Sequence, residues 1–127
     1  MALAPAPQRL VQKQIIVGSA QVVVEVADTE ALREQGLSGR PNLPEGQGML
    51  FVFDTDGVWG IWMKGMQFPI DIVWADASGT VVTVAVNIAP DTYPDSFYPT
   101  IPARYVLELQ AGFTATHDIV VGSKIVL

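Results

Sequence analysis

Two acidic residues stand where a carboxyl group could do acid–base chemistry. Asp71 follows a proline and an isoleucine, and Glu108 stands between two leucines. On semi-apolar strand faces, two carboxyl groups in unequal surroundings can serve as general acid and general base. This pair indicates a carboxylate-based hydrolase as one alternative function. The simpler interpretation is that Glu108 lies on a solvated face near Arg104, while Asp71 pairs with Lys64 or caps a turn.

Trp62, Met63, Met66 and His117 are of the residue types that can hold cuprous copper. Thioethers bind cuprous copper, and an indole face attracts cations, so these residues predict a weaker alternative, cuprous-ion binding. Met63 and Met66 would project to opposite faces of a strand, so a turn at Gly65 would be needed to bring them together. The competing interpretation is that Met63 fills a core gap beside a tryptophan. We therefore predict no metal site and no cofactor.

Arg40, Lys64 and Arg104 are three of only seven cationic residues in an acidic chain. Placed around residues 62–69, they would form a pocket for an anion, although arginines also form ordinary salt bridges. A proline-rich loop at 89–102 carries tyrosine and phenylalanine side chains, including Phe97, that could form its rim. The predicted ligand-binding residues are Arg40, Trp62, Met63, Lys64, Asp71, Tyr98, Arg104 and Glu108. The leading functional prediction is a binding or accessory protein, more readily a non-enzyme, whose cleft takes a small anionic or apolar molecule or a protein partner.

Composition excludes several other classes of protein. The chain has 127 residues, no cysteine, one histidine and a formal net charge of −6. Disulfide scaffolds, thiolate metal sites and cysteine nucleophiles are therefore excluded. An acidic chain is repelled by phosphate backbones, so we expect no nucleic-acid binding. No run of 18 apolar residues is present, so we expect a soluble protein without a membrane span.

Alternating apolar residues predict the elements that must position these side chains. Residues 21–27, 80–88 and 103–110 alternate with period two, which is typical of strands with one buried face. Residues 49–53 are apolar on both sides, which indicates a central strand, and 58–63 and 70–74 are further strands. Asp28 or Thr29 can cap the start of one short helix, and Gly36 is positioned to end it. A second short helix is predicted near residues 113–117.

These elements predict a mainly β fold, α+β at most: a compact antiparallel or mixed β-sandwich or barrel with one short lid helix. Residues 1–18 are predicted to form a partly flexible tail and a first short strand, and residues 19–127 a single β domain. Residues 1–7 resemble the small-residue stretch beside a signal cleavage site. We therefore expect an exported protein, periplasmic or secreted, with a cytoplasmic location as the alternative.

Several of these motifs occur together in one known family. They are Gly-Leu at 36–37 with Arg40, Gly-Met-Leu-Phe at 48–51 with Phe53, Trp-Met-Lys at 62–64 with Pro-Ile-Asp at 69–71, and Leu-Glu-Leu at 107–109 with Gly112. At these residues the chain resembles the domain of unknown function 192 family, over about residues 22–126. The resemblance implies a small single-domain β fold, often secreted or membrane-tethered, with no established activity. Gly65 departs from the asparagine expected there, and Ser123 from an acidic residue.

Overall fold

The computed structural model describes residues 10–127, so the predictions made for residues 1–9 lie outside the described residues. Within residues 10–127 the chain forms nine strands, two helices and a 3₁₀ turn at Pro90–Thr92. In chain order the strands and helices are β1 (Val11–Val17), β2 (Ala20–Ala27), α1 (Glu30–Gln35), β3 (Gln47–Gly57), β4 (Ile61–Trp62), β5 (Ile70–Ala75), β6 (Val81–Ile88), β7 (Ser96–Phe97), β8 (Ala103–Gln110), α2 (Phe113–Thr116) and β9 (Ile125–Val126).

Seven of the strands form one mixed sheet in the order β6-β5-β8-β3-β2-β1-β9. All its pairs are antiparallel except β2 with β3, which are parallel and joined by a crossover that contains α1. The sheet curls far enough for its two ends to meet. The backbone N–H of Ile125 donates to the carbonyl oxygen of Gly79 at 2.7 Å, beside a bridge between Thr80 and Lys124. The predicted mainly β fold is confirmed as a half-barrel with a short helix on one face.

The concave face of the sheet encloses an inner core. Val22 and Val24 of β2, Val73 of β5 and Leu107 and Leu109 of β8 are fully buried there. Strands from both ends of the sheet contribute to this one cluster, which is why the sheet must curl around it. The alternation visible in the sequence of β2 and β8 is therefore the burial of every second side chain in this core.

The other face of the sheet carries a second, outer core. Its buried members include Leu37, Met49, Phe51, Met63 and Trp74. They are covered by α1, by the turn that follows it and by residues 59–68. Both faces of β3 are thus covered, as the doubly apolar residues 49–53 predict.

The lid helix begins and ends where the sequence predicts. The side chain of Thr29 accepts a hydrogen bond from the backbone N–H of Leu32 at 3.2 Å, and Gly36 ends the helix with φ at +49°. No residue of α1 is buried, although Leu32 is half-buried against the outer core. The helix therefore rests on the sheet instead of contributing to its interior.

The predicted strand at 58–63 is shorter in the structure. Only Ile61 and Trp62 form β4, and their partner is the two-residue strand β7. Prolines at positions 94 and 99 lie on either side of β7, and because proline has no amide donor the ladder cannot extend. Through this short ladder the 89–102 loop is joined to residues 59–68.

The predicted first short strand is β1, which pairs with β2 along its whole length and with β9 on its other side. In the described part of the chain, neither helix has the length or apolar character needed to cross a bilayer.

Candidate functional site

A cleft of about 1000 Å³ opens on the outer-core side of the sheet. It lies between α1 with its following turn and residues 59–66. Its apolar walls are Phe51, Phe53, Trp59, Ile61, Trp62 and Met66. Ligand pockets in proteins span roughly 300–1,000 Å³ and are mostly apolar with a few polar groups, so this cleft has the size and character of a small-molecule site.

Glu108 forms the polar part of the cleft floor. Its strand neighbours across the sheet are Met49 on β3 and Ile72 on β5. The residue is only 4% exposed, and no donor from residues 10–127 reaches its carboxyl group. Loss of hydration raises the pKa of the Glu108 carboxyl from 4.5 to about 8. The group is therefore mainly protonated at neutral pH, and the prediction that Glu108 lies on a solvated face is wrong.

One wall of the cleft is held by stacked aromatic rings. Phe53 and Trp59 stack with 4.4 Å between ring centroids and 6° between planes. The Arg33 guanidinium lies 5.0 Å from the Phe53 ring and donates to the carbonyl oxygen of Val52 at 2.8 Å. The indole N–H of Trp59 donates to the Thr55 carbonyl oxygen at 3.2 Å. Because each group has a partner, this wall is set in place before any ligand arrives.

Trp62 marks the mouth of the cleft. Its side chain is 48% exposed, its ring lies 5.2 Å from that of Tyr93, and the Lys64 ammonium lies 5.5 Å from its ring centre. The turn at 64–65 is tied to the segment after α1, because the Ser38 hydroxyl donates to the Lys64 carbonyl oxygen at 2.7 Å. Gly65 has φ at +71°, a conformation that glycine and asparagine adopt most readily.

The charged residues of the cleft are mostly acidic. Its lining contains four carboxyl groups, those of Glu30, Glu34, Asp54 and Glu108, and two cations, Arg33 and Lys64. The predicted convergence of three cations therefore does not occur.

Arg40 and Arg104 both form ion pairs away from the cleft lining. Arg40 makes two hydrogen bonds to the Glu25 carboxylate, at 2.5 and 3.1 Å. The Arg104 Nε donates to Asp56 at 2.9 Å. The salt-bridge interpretation of these two residues is confirmed.

Asp71 lies on the opposite face of the sheet from Glu108. Its carboxylate is fully buried and accepts hydrogen bonds from the backbone N–H groups of Asn87, Gly112 and Thr114, and from the Thr114 hydroxyl at 2.6 Å. The prediction that Asp71 caps a turn is confirmed. Since the sheet separates the two carboxyl groups, the predicted acid–base pair does not form.

The remaining predicted residues have other places in the fold. Met63 is buried in the outer core, and Tyr98 is 59% exposed and covers Gly60. Phe97 is half-buried against the outer core. The pairing of β4 with β7 brings the 89–102 loop against residues 61–62, and no residue of this loop lines the cleft described above.

The soft residues do not converge on one point. His117 lies at the end of α2 beside Phe113, on the inner-core side, whereas Trp62 and Met66 line the cleft. Among residues 10–127, no group of three or more histidine, cysteine, aspartate or glutamate side chains is placed to hold a metal ion.

Sequence reasoning missed most of the cleft wall. Phe51, Phe53 and Trp59 stood in segments that the sequence singled out for their apolar character, but their contact with α1 depends on pairing between distant segments.

The chain is similar to two solved structures and matches the model of one protein family. Two solved structures share its fold over nearly their full lengths. A protein from Sinorhizobium meliloti 1021, described as a candidate transcription regulator, is 27% identical, with a TM-score of 0.89 over 94% of this chain and 96% of that one. A protein of unknown function from Novosphingobium aromaticivorans DSM 12444 is 28% identical, with a TM-score of 0.87 over 99% and 94%. No curated protein matches this sequence. The model of the DUF192 family, described as Uncharacterized ACR, matches residues 13–127, and the chain belongs to that family.

Proposed function

We propose that this protein is a binding module that holds a small, largely apolar molecule in the cleft between α1 and residues 59–66. The observation that carries the proposal is a carboxyl group without a protein partner at the base of an aromatic cleft. Glu108 is 4% exposed, lines the cleft and receives no hydrogen bond from residues 10–127. A ligand in the cleft could donate to this carboxyl group without competing with a donor of the protein.

The shape of the site supports a molecule with an apolar body. Phe51 and the stacked rings of Phe53 and Trp59 line the same cleft as Glu108, and Trp62, which also lines it, is half-exposed. Aromatic walls with a single polar anchor are typical of sites that fix the orientation of a small molecule. The same arrangement offers little to an extended polymer, because the polar anchor lies on the floor of the cleft.

The charge distribution favours a small molecule over nucleic acid. The chain has a net charge of −6, and DNA-binding proteins use clusters of lysine and arginine to neutralise phosphates. Four of the six charged residues that line the cleft are acidic. If this chain takes part in regulation, as the description of the Sinorhizobium protein suggests for that protein, it would do so by binding a small molecule.

A fluorescence titration tests the proposal. The neutral probe N-phenyl-1-naphthylamine brightens when it enters an apolar site, and we expect saturable binding with a stoichiometry of one. Trp62→Ala should weaken binding about tenfold or more, because an aromatic side chain at the mouth is removed. Ile101→Ala, a variant of an exposed apolar residue outside the cleft lining, is the matched control and should bind as the wild type does.

The proposal fails if the probe does not bind, or if it binds Trp62→Ala and the wild type equally well. Quenching of tryptophan fluorescence gives a second measurement, since Trp59 and Trp62 line the cleft and Trp74 is buried beneath it.

A further inference from the structure

We infer that the cleft selects molecules that carry a protonated amine attached to an apolar body, with the ammonium group paired to Glu108. This inference rests on the proposed function and adds the chemical class of the ligand. It depends on the placement of one carboxyl group and on the charges around it.

Glu108 is the only polar side chain that the sheet directs into the floor of the cleft from β8. Its neighbours in the sheet, Met49 and Ile72, are apolar and fully buried, so neither can donate a hydrogen bond. Its carboxyl group has no donor from residues 10–127 and faces the open volume. An ammonium group has three donors and no acceptor, which complements a carboxylate with free lone pairs.

The other charges of the lining favour a cation as well. Glu30 and Glu34 of α1 and Asp54 of β3 also line the cleft, so it contains three more carboxyl groups. Of the two cations, the Arg33 guanidinium already has a carbonyl oxygen and an aromatic ring as partners. The second, Lys64, holds its ammonium 5.5 Å from the centre of the Trp62 ring, so this charge is in contact with an aromatic face.

The same lining is less favourable for a ligand with an anionic head group. A carboxylate or phosphate at the cleft floor would lie beside the Glu108 carboxyl group. The two cations of the lining, Arg33 and Lys64, already contact the rings of Phe53 and Trp62, and Arg40 and Arg104 lie outside the lining. Above pH 8, where Glu108 is mainly ionised, like charges at close range in a partly apolar site repel strongly. At that pH the site therefore favours an amine over an acid.

Binding of an amine releases a proton from Glu108. In the free protein below pH 8 the carboxyl group is mainly protonated, and pairing with R–NH₃⁺ leaves a carboxylate and one proton released to solvent. Affinity for the amine should then rise about tenfold per pH unit between pH 6 and 7, and level off above pH 8. The other charged groups that line the cleft and face this site are Glu30, Arg33 and Glu34 from α1, Asp54 from β3 and Lys64 from the 64–65 turn.

Three probes with one apolar body and different head groups test the inference. They are 3-phenylpropylamine, which is cationic, 3-phenylpropanol, which is neutral, and 3-phenylpropionate, which is anionic. Each is titrated into the full chain at pH 6, 7 and 8, with isothermal calorimetry and tryptophan quenching as readouts. We expect the amine to bind at least about tenfold more tightly than the alcohol at pH 8, and the acid to bind most weakly. Calorimetry in two buffers of different ionisation enthalpy should show close to one proton released per amine bound at pH 7.

The variant Glu108→Gln should remove both the preference for the amine and the pH dependence. Glu45→Gln, at an exposed carboxylate outside the cleft lining, should leave both unchanged. The comparison of probes on the wild type is decisive even if Glu108→Gln folds poorly.

Equal affinity for amine and alcohol at pH 8, or tighter binding of the acid than of the amine at pH 8, overturns the inference and leaves the proposed binding module in place. Failure of all three probes to bind counts against the inference and the binding module together, and the naphthylamine titration then decides whether the module itself stands.

Discussion

The Glu108→Gln variant is expected to lose much less stability than the wild type as the pH rises. The pKa of Glu108 is about 8 in the folded protein against an ordinary value of 4.5, and desolvation is the cause. A carboxyl group with a raised pKa stabilises the folded state below pH 4.5, and this contribution is lost as the pH rises toward 8. Glutamine has nearly the same shape and does not titrate.

The magnitude follows from these two pKa values. Between pH 5 and pH 9 the titration of Glu108 should cost the wild type about 4 kcal/mol of unfolding free energy, an upper limit because water can enter the cleft. At pH 5 the two proteins should differ by no more than about 1 kcal/mol, since both then carry a neutral polar group in the same place. At pH 9 the variant should be the more stable protein by several kcal/mol.

Urea unfolding of both proteins at pH 5, 7 and 9 measures this difference. The comparison cancels the titration of every other group, because both chains share those groups. Glu45→Gln serves as the control and should follow the wild type at each pH. If the wild type and Glu108→Gln lose stability in parallel as the pH rises, Glu108 is hydrated and the argument for its role at the cleft floor is refuted.

Further substitutions at three places in the fold test the rest of the structural argument. Asp71→Asn should destabilise the fold by about 3 kcal/mol at pH 7 in urea unfolding, because an amide cannot accept all four hydrogen bonds; Thr114→Val removes one of them and should cost about 1 kcal/mol. Gly79→Ala would place a methyl group 2.4 Å from the Ile125 carbonyl oxygen, and should lower the midpoint of a thermal melt well below that of Gly18→Ala, where the same left-handed backbone faces open space. Arg104→Ala removes an exposed ion pair and should change the unfolding free energy by about 0.5 kcal/mol or less, with no effect on probe binding; a loss of binding would return this residue to the site.

The features of the fold that the sequence predicts correctly depend on residues that are close together in the chain. The valines of β2 and the leucines of β8 alternate because every second side chain enters the inner core, and this rule holds without knowledge of the rest of the chain. Thr29 and Gly36 likewise act on the backbone within a few residues of themselves. Gly65, where the family resemblance implies asparagine, is explained by its positive φ, which both residue types tolerate.

The sequence does not predict which residues cover the outer-core face of the sheet. The alternation in β8 predicts that Leu107 and Glu108 lie on opposite faces of the sheet. It does not predict whether the face that carries Glu108 is solvated or covered by other residues. The cover comes from α1 and residues 59–68, which lie 40 or more positions away in sequence. The prediction that Glu108 lies on a solvated face was wrong for that reason.

Asp71 and Glu108 show how two carboxyl groups in one sheet acquire different roles. They are nearly opposite each other across β5 and β8, since Ile72 pairs with Glu108 and Asp71 with Leu109. Because of this one-residue offset, the two side chains lie on opposite faces of the sheet. Asp71 accepts hydrogen bonds from four donors, whereas Glu108 lines a cleft in which residues 10–127 provide no donor. A carboxylate whose hydrogen bonds are all made by its own chain stabilises the fold and has nothing left with which to bind. Glu108 lines an open cleft and has no donor within residues 10–127, so a ligand that brings a donor and binds only the folded protein is expected to stabilise it.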